Sequence, residues 1–191
     1  MNRRKAIISF ITLGAGVGAL YSGYRVFNWY KTPDWKYLNN QKAFLNELAD
    51  VIIPRTDSPG AKDVDAGAII IHLIQNCTRR VEQNNFIDGL KELETCSERN
   101  FRKPFMELDA SERYHLVETF MQSGTENGGF IGKAQRKFTG RSFFNILKDY
   151  TIIAYCTSEK GVTQGLAYAH VPGRYAGCVP IDEQPRTWAT K

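Results

Sequence analysis

The chain has 191 residues, of which 42% are hydrophobic and 24% are charged, and its net charge is +5. These proportions are ordinary for one folded soluble domain, and they exclude a disordered chain and a multi-pass membrane protein. Arg3, Arg4 and Lys5 supply three of the five net charges, so only +2 remains for the rest of the chain. A nucleic-acid-binding protein needs a dense basic face, and this remainder does not provide one.

Residues 1–24 have the composition of an export signal. Basic residues at positions 3–5 precede an uncharged stretch that reaches Tyr24, and this order is typical of a secretory leader. The adjacent Arg3 and Arg4 favour the twin-arginine route, although the flanking residues match that pattern only in part. The apolar run over residues 6–20 has the length of a signal peptide, while the longer uncharged stretch is also compatible with an uncleaved membrane anchor.

The same stretch imitates the glycine loop of a dinucleotide-binding domain, which requires GxGxxG between a strand and a helix. Gly14, Gly16 and Gly18 give only GxGxG, and Gly23 and Pro33 interrupt the segment where the helix and the second strand would lie. We therefore reject dinucleotide binding.

Residues 25–38 are predicted as a tether, and residues 39–191 as a helical domain. The first helix starts near Asn40 and ends at Ile53, because Pro54 cannot continue it. A polar loop follows, and Asp65 is predicted to cap the second helix. Apolar residues recur at helical spacing in both helices: Phe44, Leu45, Leu48, Val51 and Ile52 in the first, and Ile69, Ile70, Leu73, Ile74 and Cys77 in the second.

Three further helices follow. The fourth begins with Asp109 and Glu112, three residues apart, which predicts a capping box, and glycines in residues 123–132 predict a loop after it. The fifth covers about residues 142–155. The predicted fold is therefore an all-α single domain of about five helices. The apolar residues at helical spacing are Phe86, Leu90 and Leu93 in the third helix; Leu116, Val117, Phe120 and Met121 in the fourth; and Phe143, Leu147, Tyr150, Ile153 and Ala154 in the fifth.

The last thirty residues form a different region, rich in glycine, proline and aromatic residues and without helical periodicity. We expect an ordered but irregular C-terminal arm that lies on a surface. Aromatic side chains on such an arm are candidates for contact with a partner protein. The alternative is that the arm folds back as a lid over the helices. The candidate interface residues are Tyr168, His170, Pro172, Gly173, Tyr175 and Trp188.

Two parts of the sequence resemble the gluconate 2-dehydrogenase subunit 3 family. The first is LADVIIP over residues 48–54, followed by a short loop that ends in PGA and by a second apolar helix. The second is YCTSEKG over residues 155–161 with Tyr168 and VPGRYAGCVP over residues 171–180, which is similar to the C-terminal signature of the short form of the family.

This resemblance implies a non-catalytic small subunit of an exported FAD-dependent sugar or sugar-acid dehydrogenase. The partner would be the large flavoprotein subunit, which would hold the FAD, and a cytochrome c subunit is a further candidate partner. The implied location is the periplasm or the periplasmic face of the inner membrane, with membrane association through the N-terminus or through the complex. The alternative function is that of a free-standing periplasmic or membrane-anchored binding protein with the same fold.

No catalytic, cofactor-binding or metal-binding residue is predicted in this chain. His72, His115 and His170 lie in different elements and lack the spacing of metal ligands. His72 lies among apolar residues, which favours a structural histidine. No GxSxG motif is present, and the absence of CxxCH argues against a haem-carrying subunit.

Cys77, Cys96, Cys156 and Cys178 are an even number of cysteines in a chain that is predicted to leave the cytoplasm. In an oxidising compartment such cysteines tend to pair, and four of them allow three connectivities. For Cys77 and Cys96 the alternative is burial as free thiols on the apolar faces of their helices.

Overall fold

A computed structural model describes residues 31–123, 140–171, 173, 177–178, 180 and 186–189. These residues form six α-helices, a single 3-10 turn at Phe105–Glu107 and a π-helical turn at Gly161–Gly165, with no β-sheet among them. The prediction of an all-α fold is confirmed. The helices are α1 (Trp35–Asn40), α2 (Lys42–Ile52), α3 (Ala66–Cys77), α4 (Arg80–Phe101), α5 (Ala110–Ser123) and α6 (Phe143–Thr157).

Helix α1 begins within the segment predicted as a tether. It begins earlier than the expected start at Asn40, because the Asp34 side chain accepts a hydrogen bond from the Tyr37 N–H at 3.0 Å and caps it. Leu38 is fully buried against the domain. The part of residues 25–38 that the structure describes therefore packs on the helices.

Helix α2 ends as predicted, with Ile53 as its C-cap residue before Pro54. The loop that follows is held by backbone hydrogen bonds, among them Ala61 N–H to the Ile53 carbonyl at 2.9 Å. Asp50 and Asp63 also accept loop N–H groups, from Lys62 at 3.4 Å and from Gly60 at 2.9 Å. The polar loop is therefore well ordered.

The prediction that Asp65 caps α3 is wrong. Asp65 has a left-handed backbone and makes no side-chain cap; its carboxylate instead binds Lys42 at 2.7 Å and Asn46 at 2.9 Å. The cap comes from α2, because the Asn46 side-chain oxygen accepts the Gly67 N–H at 2.7 Å. A Cβ atom at Gly67 would lie 2.6 Å from the Lys42 carbonyl oxygen, so the close approach of the two helices requires glycine.

The capping box at the start of α5 is confirmed by two reciprocal bonds: the Glu112 N–H donates to Asp109 at 2.8 Å, and the Asp109 N–H donates to Glu112 at 3.0 Å. Leu116 and Val117 on α5 are buried, whereas Met121, which was expected on the same face, is exposed. Met121 is 45% exposed, so the prediction is wrong for this residue, which lies in the last described turn of α5. The loop predicted at residues 123–132 lies almost entirely outside the described residues.

Helix α6 lies at the centre of the fold and packs against α2, α3 and α4. It runs antiparallel to α3, because Tyr150 contacts Thr78 beyond the end of α3 while Lys160 contacts Asp63 before its start. Phe143 at its N-terminus stacks against Phe86, with ring centroids 5.2 Å apart. The fully buried side chains at the core are Leu38, Leu45, Leu48, Ile70, Ile74, Phe86, Leu90, Ile146 and Leu147.

Candidate interaction surface

A short backbone contact joins the start of the C-terminal arm to its last described residues. The Ala167 N–H donates to the Thr187 carbonyl and the Ala189 N–H donates to the Ala167 carbonyl, both at 2.9 Å. This isolated parallel bridge pairs Ala167 with Trp188. It holds the last described residues beside the start of the arm.

The described aromatic side chains of the arm and the side chain of Val171 face solvent. Tyr168 is 44% exposed, Val171 is 77% exposed and Trp188 is 65% exposed. His170 is also exposed, and its Nδ1 lies 3.3 Å from the Tyr168 hydroxyl. The side chains of Tyr168, Val171 and Trp188 therefore do not cover the core, and the choice between an interface and a lid stays a prediction. Of the other candidates, Gly173 is exposed with no atom within 4 Å of the position of a Cβ, while Pro172 and Tyr175 lie outside the described residues.

A second apolar surface lies on α6 and was missed by the sequence analysis. Ile152 and Ile153 are 43% and 41% exposed, and Cys156 is exposed beside them. Their spacing places all three on the side of α6 that faces away from the core. We call these three residues the α6 stripe. The prediction that Ile153 lies on the buried face is wrong, because the helical rotation places it outside the side of α6 that Tyr150 and Ala154 occupy.

An ionic cluster around the buried Glu82 joins the start of α4 to the start of α6. Glu82 on α4 is only 4% exposed, and its carboxylate binds Arg79 at 2.8 Å and Arg141 at 3.2 Å. Arg141 also binds Asp149 and the Tyr150 hydroxyl, each at 3.3 Å. Burial of Glu82 opposes ionisation, but hydrogen bonds from the two arginines outweigh it and lower the pKa of the carboxyl. Its two carboxylates and two guanidinium groups compensate each other's charges, so the cluster has a structural role. We call it the Glu82 cluster.

An open groove of about 370 Å³ lies between α4, α5 and the start of α6. Its floor is apolar, and among the described residues that line it Glu92 is the one charged side chain. Such a groove can accept an apolar side chain, and these lining residues do not form any of the acid, base or nucleophile arrangements that catalysis requires. It is lined by Gly89, Glu92, Cys96, Thr119, Phe120, Ser142, Phe143 and Phe144.

The histidines and cysteines are dispersed over the fold. Within the described residues, no three His, Cys, Asp or Glu side chains come together as a possible metal site. His72 is exposed on the surface of α3 and its Nδ1 lies 3.2 Å from the Asn76 side-chain nitrogen, so it is not buried among the apolar residues that flank it in the sequence; its structural role stays a prediction. The structure shows none of the four cysteines paired, and Cys77 is exposed rather than buried, because it is the last residue of α3. Disulfide pairing stays a prediction.

Comparison with known protein families gives one finding. The family model for gluconate 2-dehydrogenase subunit 3 matches residues 39–173, which are most of the chain. The chain belongs to the gluconate 2-dehydrogenase subunit 3 family. Searches of curated proteins and of solved structures gave no match. As its name states, the gluconate 2-dehydrogenase subunit 3 family consists of subunits of a dehydrogenase complex.

The gluconate 2-dehydrogenase subunit 3 match divides the candidate interface residues. It includes the α6 stripe together with Tyr168 and His170, whereas Tyr175 and Trp188 lie beyond its end. The leader residues Arg3 and Arg4 lie outside both the match and the described residues. No helix in the described part of this gluconate 2-dehydrogenase subunit 3 chain has the length and hydropathy needed to cross a membrane.

Proposed function

We propose that this chain is a non-catalytic small subunit of an exported FAD-dependent sugar or sugar-acid dehydrogenase. It binds the large flavoprotein subunit, which holds the FAD, assists its folding and carries it through the twin-arginine route. The complex works in the periplasm or on the periplasmic face of the inner membrane, and a cytochrome c subunit is a further expected partner. Family membership supports the role of a subunit, and the exposed α6 stripe is the observation that carries the binding role.

The α6 stripe is unusual because α6 already buries its other side. The solvent-facing side of a helix at a protein surface is normally polar, whereas the side that neighbouring elements cover is apolar. On α6 the core side is covered by α2, α3 and α4, while Ile152, Ile153 and Cys156 remain exposed. A partner surface that covers this stripe would remove its apolar area from water, which stabilises the complex.

The arm is the second part of the proposed interface. Tyr168 and Trp188 combine a large apolar ring with a polar group, and such side chains are common anchors of protein interfaces. The bridge between Ala167 and Trp188 keeps the two rings near the same end of the arm. Because the bridge holds the arm before the partner arrives, less conformational entropy is lost on binding.

The interface can be tested by placing charges on the α6 stripe. The double variant Ile152→Lys/Ile153→Glu keeps the net charge and uses good helix formers. We expect it to weaken binding to the co-expressed dehydrogenase subunit by at least about 30-fold, with little change in melting temperature. Truncation after Gly165 should likewise weaken binding without a large loss of stability, since Tyr168, Val171 and Trp188 are exposed. Affinity is measured by titration and stability by calorimetry.

The matched control is Tyr114→Lys/Met121→Glu, which changes two exposed apolar residues of α5 in the same way. This variant should bind with normal affinity. Full affinity of the α6 variant would exclude the α6 stripe as the interface. A truncated chain whose melting temperature is several degrees lower would favour the interpretation of the arm as a lid. A monomer that forms no complex under any condition would support the free-standing binding protein.

Export can be tested separately from binding. Replacing Arg3 and Arg4 by lysine should leave both this chain and its partner in the cytoplasm, because the twin-arginine route recognises the paired arginines. The measurement is the periplasmic fraction of each protein, and Arg25→Lys, outside the pair, is the control. An unchanged periplasmic level of the partner would contradict the carrier role and leave the subunit role intact.

A further inference from the structure

The segment just after the proposed leader lies along α4 through three regularly spaced contacts. Lys31 binds Asp88 at 3.3 Å, Asp34 binds Lys91 at 3.3 Å, and the Tyr37 hydroxyl donates to Glu94 at 2.8 Å. The two partners of each pair are 57 residues apart in the chain. Successive pairs are three residues apart, close to one helical turn. We call residues 31–37 the N-terminal strap.

Other contacts hold the backbone of the strap. The buried Asn84 side chain donates to the Lys31 carbonyl oxygen at 2.9 Å, and Pro33 is buried. The Lys91 ammonium lies 4.6 Å from the centre of the Tyr37 ring, which connects the second contact to the third. Burial of Tyr37, together with the neighbouring Glu94, raises the pKa of its hydroxyl, so the hydroxyl remains a hydrogen-bond donor.

The order of charges along α4 permits only one alignment of the strap. Asp88, Lys91 and Glu94 present negative, positive and negative charges in turn. If the strap moved one turn toward the end of α4, Lys31 would face Lys91 and Asp34 would face Glu94. A shift of one turn in the other direction would place Asp34 opposite Asp88. Like charges at this distance repel, so both shifted alignments are disfavoured.

We propose that the N-terminal strap is a positioning device that fixes where residues 1–30 leave the folded domain. The exit lies beside Asn84, near the start of α4. Because Asp88, Lys91 and Glu94 align only on a formed helix, the strap docks only after α4 has folded. The consequence for export rests on the proposed function: the leader would be presented from one place on a folded domain. Release of the seven strap residues would lengthen the connection by up to about 23 Å.

Charge reversal of the first contact tests this proposal on the full-length chain. The variants are Lys31→Glu, Asp88→Lys and the double swap, and the measurement is hydrogen–deuterium exchange at the Trp35 and Tyr37 amides, which are bonded within the strap in the structure. Each single reversal replaces attraction by repulsion and should accelerate exchange about threefold to tenfold. The double swap should return exchange to within about twofold of the wild-type rate.

Lys148→Glu, at an exposed lysine of α6, is the charge-matched control, and exchange in the buried part of α6 shows that the variants are folded. Single reversals that leave exchange unchanged, or a double swap that exchanges as fast as either single variant, would overturn the proposal. Faster exchange at higher salt would support it, because exposed ion pairs are screened. The assay needs neither partner nor export, so its failure is distinguishable from failure of the carrier role.

Discussion

Replacing Gly89 by alanine should destabilise the domain by roughly 2 kcal/mol, although alanine is the better helix former. A Cβ atom at this position of α4 would lie 2.4 Å from both Cβ and Cγ of Phe143. Phe143 is buried between Phe86 and Phe120 and is attached to the first turn of α6, so it cannot rotate away. The two helices would therefore have to separate, and the cost exceeds the gain in helix propensity of about 1 kcal/mol.

The measurement is thermal unfolding, in which the melting temperature should fall by about 4 to 8 °C. Gly173→Ala is the matched control, because no atom of the described residues lies within 4 Å of its Cβ position. It should leave the melting temperature unchanged. A Gly89→Ala variant that is as stable as the wild type would contradict the packing of α4 against α6.

Replacing Glu82 by alanine should cost about 2 kcal/mol at neutral pH, because it removes the buried carboxylate that accepts hydrogen bonds from Arg79 and Arg141. Arg79 and Arg141 would lose their common partner, and the Arg141 N–H would lose its acceptor at 3.2 Å. Glu92→Ala, at an exposed glutamate farther along the same helix, should have little effect. Urea denaturation at constant pH measures both changes.

The Glu82 contribution should also depend on pH. Its pKa is lower in the folded state than in the unfolded state. The carboxylate therefore stabilises the fold above the unfolded pKa, and this stabilisation is lost as the pH falls through the lower folded value. The difference in unfolding free energy between wild type and Glu82→Gln should be largest near pH 7 and shrink below about pH 4. A difference that stays constant down to about pH 3 would show that the cluster acts without ionisation of Glu82.

Most of the fold could be predicted because its signals are local. The stop at Pro54, the capping box of Asp109 and Glu112 and the apolar spacing of the five longer helices all follow from neighbouring residues. Helix α1 carried a similar signal in Asp34, which precedes an aromatic residue at the position of an N-cap. Helix α1 was not predicted, because six residues are too few to show the helical repeat of apolar positions.

The interaction surface was harder to predict. Ile152 and Ile153 are adjacent in a helix with many apolar residues. Neither the residue type nor the spacing shows which of these residues lie in the core and which lie on the surface. Only the packing of α6 against its neighbours shows which side is covered. Ion pairs in the Glu82 cluster and in the N-terminal strap join residues more than fifty positions apart, namely Arg141 with Glu82, Lys31 with Asp88 and Asp34 with Lys91. A single sequence contains no sign of such pairs.

The cap that Asn46 supplies to α3 affects how the domain folds. An isolated α3 would begin with an unsatisfied Gly67 N–H, because the residue at its own N-cap position does not accept it. The first turn of α3 is therefore complete only when α2 is already in place. The two helices and the loop between them behave as one cooperative unit, which gains or loses its structure together. Since this unit covers fewer than about forty consecutive residues, its contacts are close in sequence and can nucleate folding early.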